Sequence, residues 1–207
     1  MSSSTKKPSR NKKIILGLTG GVASGKTTVA AMLKSLGARI IDADAISHSL
    51  LKPDMEVYCQ VVKIFGKGII KKDRTLSRKK LGRIVFNDKA SRKKLNRIMH
   101  PEIIRIIRKK LQAVRKGAVV LEAPLLIEAG LTGLVDKLIV VNVSLAKQIK
   151  RIQQKTSLAK EEALKRIRSQ MSLEKKVRLA DFIIDNNGTR KQTKKQVAKL
   201  RRLLWKS

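Results

Sequence analysis

Gly17–Leu33, GLTGGVASGKTTVAAML, sets glycines, one lysine and a Thr-Thr pair between an apolar run and an amphipathic one. Upstream, Lys13–Leu18 (KIILGL) is a short β-branched run that stops at glycines, as a buried strand does. Downstream, a helix is expected from about Lys26 to Leu36, closed by Gly37 as a left-handed cap. The spacing Gly20-x-x-x-x-Gly25-Lys26-Thr27 between them is a P-loop in its confirming context, strand before and helix after. Glycines let consecutive backbone N–H groups turn inward and let a phosphate approach the main chain. The following helix adds about half a positive charge at its N-terminus. Lys26 supplies a mobile cation for β- and γ-phosphates, and the Thr27 hydroxyl is placed to ligate Mg²⁺. The anion expected here is a nucleoside triphosphate.

Four further apolar runs have the character of buried strands: ARIID ending at Asp42, AVVLEA (118–123), KLIVVNV (137–143) and DFIID (181–185). Five such strands separated by helices predict an α/β, three-layer P-loop fold around a five-stranded parallel sheet. Residues 13–50, 116–144 and 179–207 would form that nucleotide-binding core. Residues 51–115 read as a helical insertion, with apolar stripes at Val57, Val61, Ile64 and Phe65, at Leu81, Val85 and Phe86, and at Leu95, Ile98 and Met99. His100-Pro101 should break the last of these, since proline opens a helix more readily than it continues one. The polar stretch 145–178, rich in Arg151, Lys155, Arg166 and Arg168, is expected to be a helical lid. The chain should close with a helix begun by Thr189, packing Val197, Leu200 and Leu204 on the sheet.

The chain has 207 residues, 42% of them hydrophobic, enough for one α/β domain with an elaboration. A lone cysteine, Cys59, excludes an intramolecular disulfide framework, fits a reducing, cytoplasmic setting, and is expected to be a half-buried apolar residue. The formal charge of +34 would attract nucleic acid, but the cations are spread over every helical segment and aromatics are scarce. A dedicated nucleic-acid surface is therefore not expected, nor a membrane span or an evident protein partner. Residues 1 to 12 read as a disordered basic arm.

Asp44 follows the second strand and would leave the sheet at its ligand-binding edge, where it could accept the proton of an acceptor hydroxyl or merely cap a helix. Asp42 fits either an outer Mg²⁺ partner or a strand-end cap. Glu122 suits a water-mediated Mg²⁺ contact or simple charge balance. His48 and His100 are too few for a metal site and suit either an acceptor pocket or a structural role. No guanine-reading NKxD sequence is present, which favours transfer of a phosphoryl group to a second small molecule over a GTPase switch.

Six segments in order, GLTGGVASGKTT, DADAISHSLL, LSRKKLGRIVF with HPEI, APLLIEAGL, RIRSQ and ADFIIDNNG, make the chain resemble the dephospho-CoA kinase family from about Ile14 to its C-terminus. The resemblance implies transfer of the ATP γ-phosphate to the ribose 3′-hydroxyl of dephospho-CoA. It places ATP on Ala23, Ser24, Gly25, Lys26, Thr27 and Thr28, with Gly21 in the same loop and Asn186 near adenine. It suggests Asp44 as the catalytic carboxylate, with Lys26, Arg151 and Arg166 acting on the phosphates. It makes the 51–115 helices the CoA-binding subdomain and sets Pro124, Leu125 and Glu128 at the acceptor, near which His100 would fall if it is not structural. Ala23 stands where many members have glycine, Lys155 where many have a second arginine, and Ile104 where an arginine is frequent. Two rival readings remain: a P-loop kinase for another nucleotide-like molecule, and an ATP-dependent nucleic-acid-binding protein.

Overall fold

The computed structural model of the chain describes residues 13–205, so the expected arm over residues 1 to 12 lies outside the described residues. Strand β1 (Ile14–Gly20) leads through the P-loop into α1 (Lys26–Ser35) and then β2 (Arg39–Asp42). The helices α2 (Ala43–Leu50), α3 (Glu56–Phe65), α4 (Arg78–Asn87) and α5 (Lys89–Gln112) precede β3 (Ala118–Glu122) and β4 (Lys137–Asn142). Three helices, α6 (Leu145–Thr156), α7 (Lys160–Arg168) and α8 (Leu173–Arg178), separate β4 from β5 (Phe182–Asp185), and α9 (Arg190–Leu204) ends the fold.

The sheet order is β2-β3-β1-β4-β5. Its strands are parallel, with Leu18 opposite Glu122, Gly20 opposite Val141 and Asn142 opposite Asp185. This register brings the ends of β1, β3, β4 and β5 to one edge, so the P-loop, Glu122 and Asn186 all emerge at the carboxyl side of the sheet. In open α/β sheets ligands bind on that side, where the chain departs in opposite directions from a central strand.

The apolar runs become strands because both their faces are covered. β3 is buried throughout, and β1 is buried from Leu16 onward. Leu16, Leu18, Val120, Ile139 and Val141 share one core with Val29 and Leu33 of α1 and Val197 and Leu200 of α9. α1 ends as expected: the Gly37 N–H bonds Lys34 O, the Ala38 N–H bonds Leu33 O, and Gly37 has a left-handed φ of 96°. α9 opens on a capping box between Thr189 and Gln192.

Two compact units are distinguished. One holds the described residues up to Ile41 and from Leu111 onward, and the other is Asp42–Lys110. Within the second, Val57, Val61, Ile69, Leu76, Leu81, Met99 and Ile107 are buried, whereas Ile64 and Phe86 are exposed.

Two expectations are corrected. The helix does not break at His100-Pro101, because α5 runs unbroken from Lys89 to Gln112 with Pro101 inside it. Proline removes only the one rung to the Arg97 carbonyl, while Met99, Ile107 and Leu111 continue a single buried stripe across it. Cys59 is exposed rather than half-buried, since the buried face of α3 is carried by Val57 and Val61.

Candidate active site

α1 begins on Gly25 with no side-chain cap and no acidic residue in its first turn. The positive end of the helix is thus directed into the P-loop without an internal counter-charge. Two residues of the loop, Ala23 (φ 55°) and Gly25 (φ 96°), are left-handed, the alternation that turns successive peptide groups into a concave anion nest. A side chain at Gly25 would be strained by the φ of 96°, and its Cβ would overlap Asn186 Nδ2 unless that amide moved.

Lys26 Nζ donates to the carbonyls of Gly21 (2.9 Å) and Gly20 (3.3 Å), which holds the ammonium over the loop. The Thr27 hydroxyl donates to Glu122 Oε1 at 3.4 Å. This pair joins the start of α1 to the end of β3 and presents hard oxygen atoms beside the phosphate nest. Mg²⁺ in nucleotide sites typically takes one or two protein oxygens and completes its shell with phosphate and water. Thr27 and Glu122 fit that requirement. No group of three or more His, Cys, Asp or Glu side chains that could hold a metal occurs among the described residues.

Arg151, on α6, reaches the same loop from behind. Its Nη1 donates to the carbonyls of Ala23 and Ser24 (both 3.2 Å), and its Nη2 donates to Asn186 O (3.1 Å). Asn186 Nδ2 also donates to Ser24 O (2.7 Å), while Asn186 Oδ1 accepts from the buried Thr193 hydroxyl (2.9 Å). Arg166 lies apart from this network, exposed on α7.

The acidic pair after β2 divides into two roles. Asp42 is the N-cap of α2, its Oδ1 accepting from the Ala45 N–H at 2.9 Å. Asp44 is therefore not the cap. It sits exposed in the first turn of α2, one turn before the equally exposed His48. His100 is half-buried in the middle of α5.

The loop after β3 is held from two sides. The Pro124 carbonyl accepts from the Thr19 hydroxyl (3.1 Å) and from Lys176 Nζ (2.7 Å). Glu128 Oε1 pairs with Lys176 Nζ at 2.8 Å and accepts from the Met171 N–H at 3.1 Å. Leu125 is exposed beside them. The aliphatic stem and ammonium of Lys176 are both fully buried, and its two acceptors meet the polar cost of that burial.

Two of these contributors carry no sequence signal of their own, and a third residue under the loop, Gln148, carries little. Lys176 is one of many cations in a basic stretch. Thr193 resembles any helical threonine. Gln148 is 3% exposed and lies so close under Gly21 that a Cβ there would come within 2.8 Å of Gln148 Oε1. For Gln148 the spacing to the buried Ile152, at i and i+4 after the Ser144 cap, is the one available clue.

A P-loop at the end of the central strand of a parallel 2-3-1-4-5 sheet, with a hydroxyl-carboxylate pair beside it, defines a P-loop kinase fold. The family model described as CoaE, dephospho-CoA kinase, matches residues 14–192. The chain belongs to the dephospho-CoA kinase family. It is 45% identical over 196 residues to a dephospho-CoA kinase of Carboxydothermus hydrogenoformans, covering 93% of this chain and 95% of that one. Among solved structures, a Thermus thermophilus protein aligns with a TM-score of 0.83 at 31% identity, over 95% of this chain and all (100%) of that one. A dephospho-CoA kinase from Campylobacter jejuni aligns with a TM-score of 0.68 at 32% identity, over 92% of this chain and 96% of that one.

Proposed function

We propose that this chain transfers the γ-phosphoryl group of ATP to the ribose 3′-hydroxyl of dephospho-CoA, giving coenzyme A and ADP in the cytoplasm. The observation that carries the reading is the P-loop in its strand-helix setting within a chain that matches this family along nearly its whole length. ATP as co-substrate follows from membership of a kinase family. No helix among the described residues is long and apolar enough to cross a membrane.

Phosphoryl transfer asks for little covalent chemistry from the protein, so positioning and charge stabilisation dominate. The P-loop backbone and the start of α1 bind the phosphates, and Lys26 exchanges its loop carbonyls for phosphate oxygens. Thr27 and Glu122 would hold Mg²⁺, and the ion would neutralise phosphate charge. Asp44 orients the acceptor hydroxyl and receives its proton as the new P–O bond forms. That role is supported by its exposure immediately after a strand of the parallel sheet and by the assignment of the capping task to Asp42. Arg166, exposed on α7 and outside the Arg151–Asn186 network, is the lid cation we assign to the transferring group. Pro124, Leu125, Glu128 and His100 are assigned to the acceptor.

An ATP-consumption assay with dephospho-CoA against a panel of nucleosides and nucleoside monophosphates tests the reading. Turnover confined to dephospho-CoA supports it. Equal turnover of a nucleotide, or ATP hydrolysis stimulated by oligonucleotide alone, overturns it.

A further inference from the structure

A P-loop has an outer side as well as an inner one. Each peptide group that points its N–H toward a phosphate points its C=O the opposite way, and those carbonyls need donors of their own. In this chain the carbonyls of Ala23 and Ser24 belong to the peptide planes that carry the Ser24 and Gly25 N–H groups. Both carbonyls are captured by Arg151 Nη1, and Ser24 O is captured a second time by Asn186 Nδ2. The same guanidinium donates to Asn186 O through Nη2, so its planar fork is spread across the P-loop and the turn after β5.

The amide of Asn186 has its orientation set. Thr193 Oγ1, 0% exposed on α9, donates to Asn186 Oδ1, which leaves only Nδ2 to face Ser24 O. The same close approach adds to the left-handed φ in favouring glycine at position 25, where a Cβ would displace Nδ2. Residues far along the chain from the loop thus converge on two of its peptide planes, Arg151 and Asn186 directly and Thr193 through Asn186.

We infer that Arg151, Asn186 and Thr193 form a positioning brace that holds the peptide planes of Ala23–Gly25 in their phosphate-binding orientation from the side opposite the phosphates. Arg151 acts through the loop carbonyls and not as a cation on the transferring phosphoryl group. The inference rests on the reading of this loop as the nucleotide-phosphate site.

ADP separates the two roles of Arg151, because it occupies the loop with its β-phosphate but carries no group to transfer. The dissociation constant for ADP is measured by calorimetry on the full chain, with KM for ATP, KM for dephospho-CoA and kcat for the same variants. Arg151→Lys keeps the charge but loses the fork, and Asn186→Asp sets a carboxylate against Ser24 O. Thr193→Val keeps shape but removes the hydroxyl that orients the amide. A neutral hydrogen bond is worth about 3- to 10-fold and one to a charged group roughly 10- to 100-fold in affinity. ADP binding should therefore weaken at least about tenfold in Arg151→Lys and Asn186→Asp, and roughly three- to tenfold in Thr193→Val. KM for ATP should rise in parallel while KM for dephospho-CoA stays within about twofold, a split that general loosening of the fold would not produce. Unchanged ADP affinity in Arg151→Lys overturns the brace, as does a loss confined to Arg151→Lys with Thr193→Val and Asn186→Asp unaffected, the signature of a direct phosphate ligand. Failure of the unsubstituted chain to bind ADP overturns instead the reading of the loop as a nucleotide site.

Discussion

The stretch from Gly20 to Lys26 and the helical unit Asp42–Lys110 are built on opposite plans. In the loop, backbone groups take most of the structural load. Carbonyls at 20, 21, 23 and 24 all accept side-chain hydrogen bonds, and two left-handed residues set the curvature. In the helical unit, side chains take it: a few buried residues per helix, from Leu81 alone on α4 to Ala43, Ile46 and Leu50 on α2, oppose largely solvated faces. A backbone-built site tolerates few substitutions and presents fixed dipoles, which is what charge stabilisation at a transferring phosphoryl group requires. A helix held by a narrow apolar stripe can change its exposed residues freely.

The largest expected effect concerns Lys26, the loop side chain proposed to meet the transferring charge. Lys26→Ala should lower kcat by about 10²–10³-fold, the typical cost of one preorganised donor to a developing negative charge. The melting temperature should change little, because the lysine is partly exposed and its bonds to Gly20 and Gly21 can be replaced by water. Retention of near-normal turnover, or loss of the fold, would break the distinction between a catalytic cation and a structural one.

How far the two regions could be read in advance follows from the same contrast. The strands, α1 with its Gly37 cap and the Thr189 start of α9 are legible because each depends on residues adjacent in sequence. The continuity of α5 is not, since Pro101 is a local signal overruled by the buried stripe of Met99, Ile107 and Leu111. In the site, Gly25, Lys26 and Thr27 follow from spacing alone. The partners of Arg151 and Lys176 do not, because a basic residue among many shows nothing of the one carbonyl or carboxylate it will find. Ala23 illustrates a subtler miss: its small size suggests tolerance, yet its φ of 55° imposes a backbone cost independent of size.

Leu81→Ala sharpens the comparison next. Leu81 is buried on a helix whose Phe86 is exposed, and truncating a buried leucine costs roughly 2–5 kcal/mol. The same change at Leu33, in the α1 core, should cost a similar amount but be distributed differently. With Leu81→Ala, amide exchange should accelerate in α3 and α4 ahead of β1 and β4, whereas Leu33→Ala should expose the strands as well. Equal acceleration in the strands for both variants would show that the units open together.

Ala23→Gly is a smaller change within the loop. An L-residue in the left-handed region is strained by about 1–2 kcal/mol, offset in part by the extra unfolded-state freedom of glycine. A net gain of about 0.5–1 kcal/mol is expected, seen as a rise of roughly 1–4 °C in melting temperature. Wild-type kcat should be kept, since the carbonyl of residue 23 remains available to Arg151.

The smallest effect lies at the opposite end of the sheet from the P-loop, where β5 is tied to the start of β4. The Asp181 carboxylate accepts from Lys137 Nζ and from the Leu138 N–H, both at 2.8 Å, and its pKa is lowered chiefly by the lysine and then by the backbone donor. A carboxylate stabilised in the folded state adds stability that is fully present above its unfolded pKa, about 3.9, and is lost as pH falls through the lower folded value. Asp181→Asn should therefore melt below wild type at pH 7, by no more than about 1 kcal/mol for so exposed a pair, and the difference should shrink steadily below about pH 4. Raising the salt concentration should narrow the gap at pH 7 as well, since the Lys137 contribution is screened. Turnover at pH 7 should be unchanged, because the P-loop lies at the other, carboxyl edge of the sheet. A fall in kcat without a fall in stability would mean that strain at this edge is transmitted along β4 and β5 to the loop, and the two ends of the sheet could no longer be treated as independent.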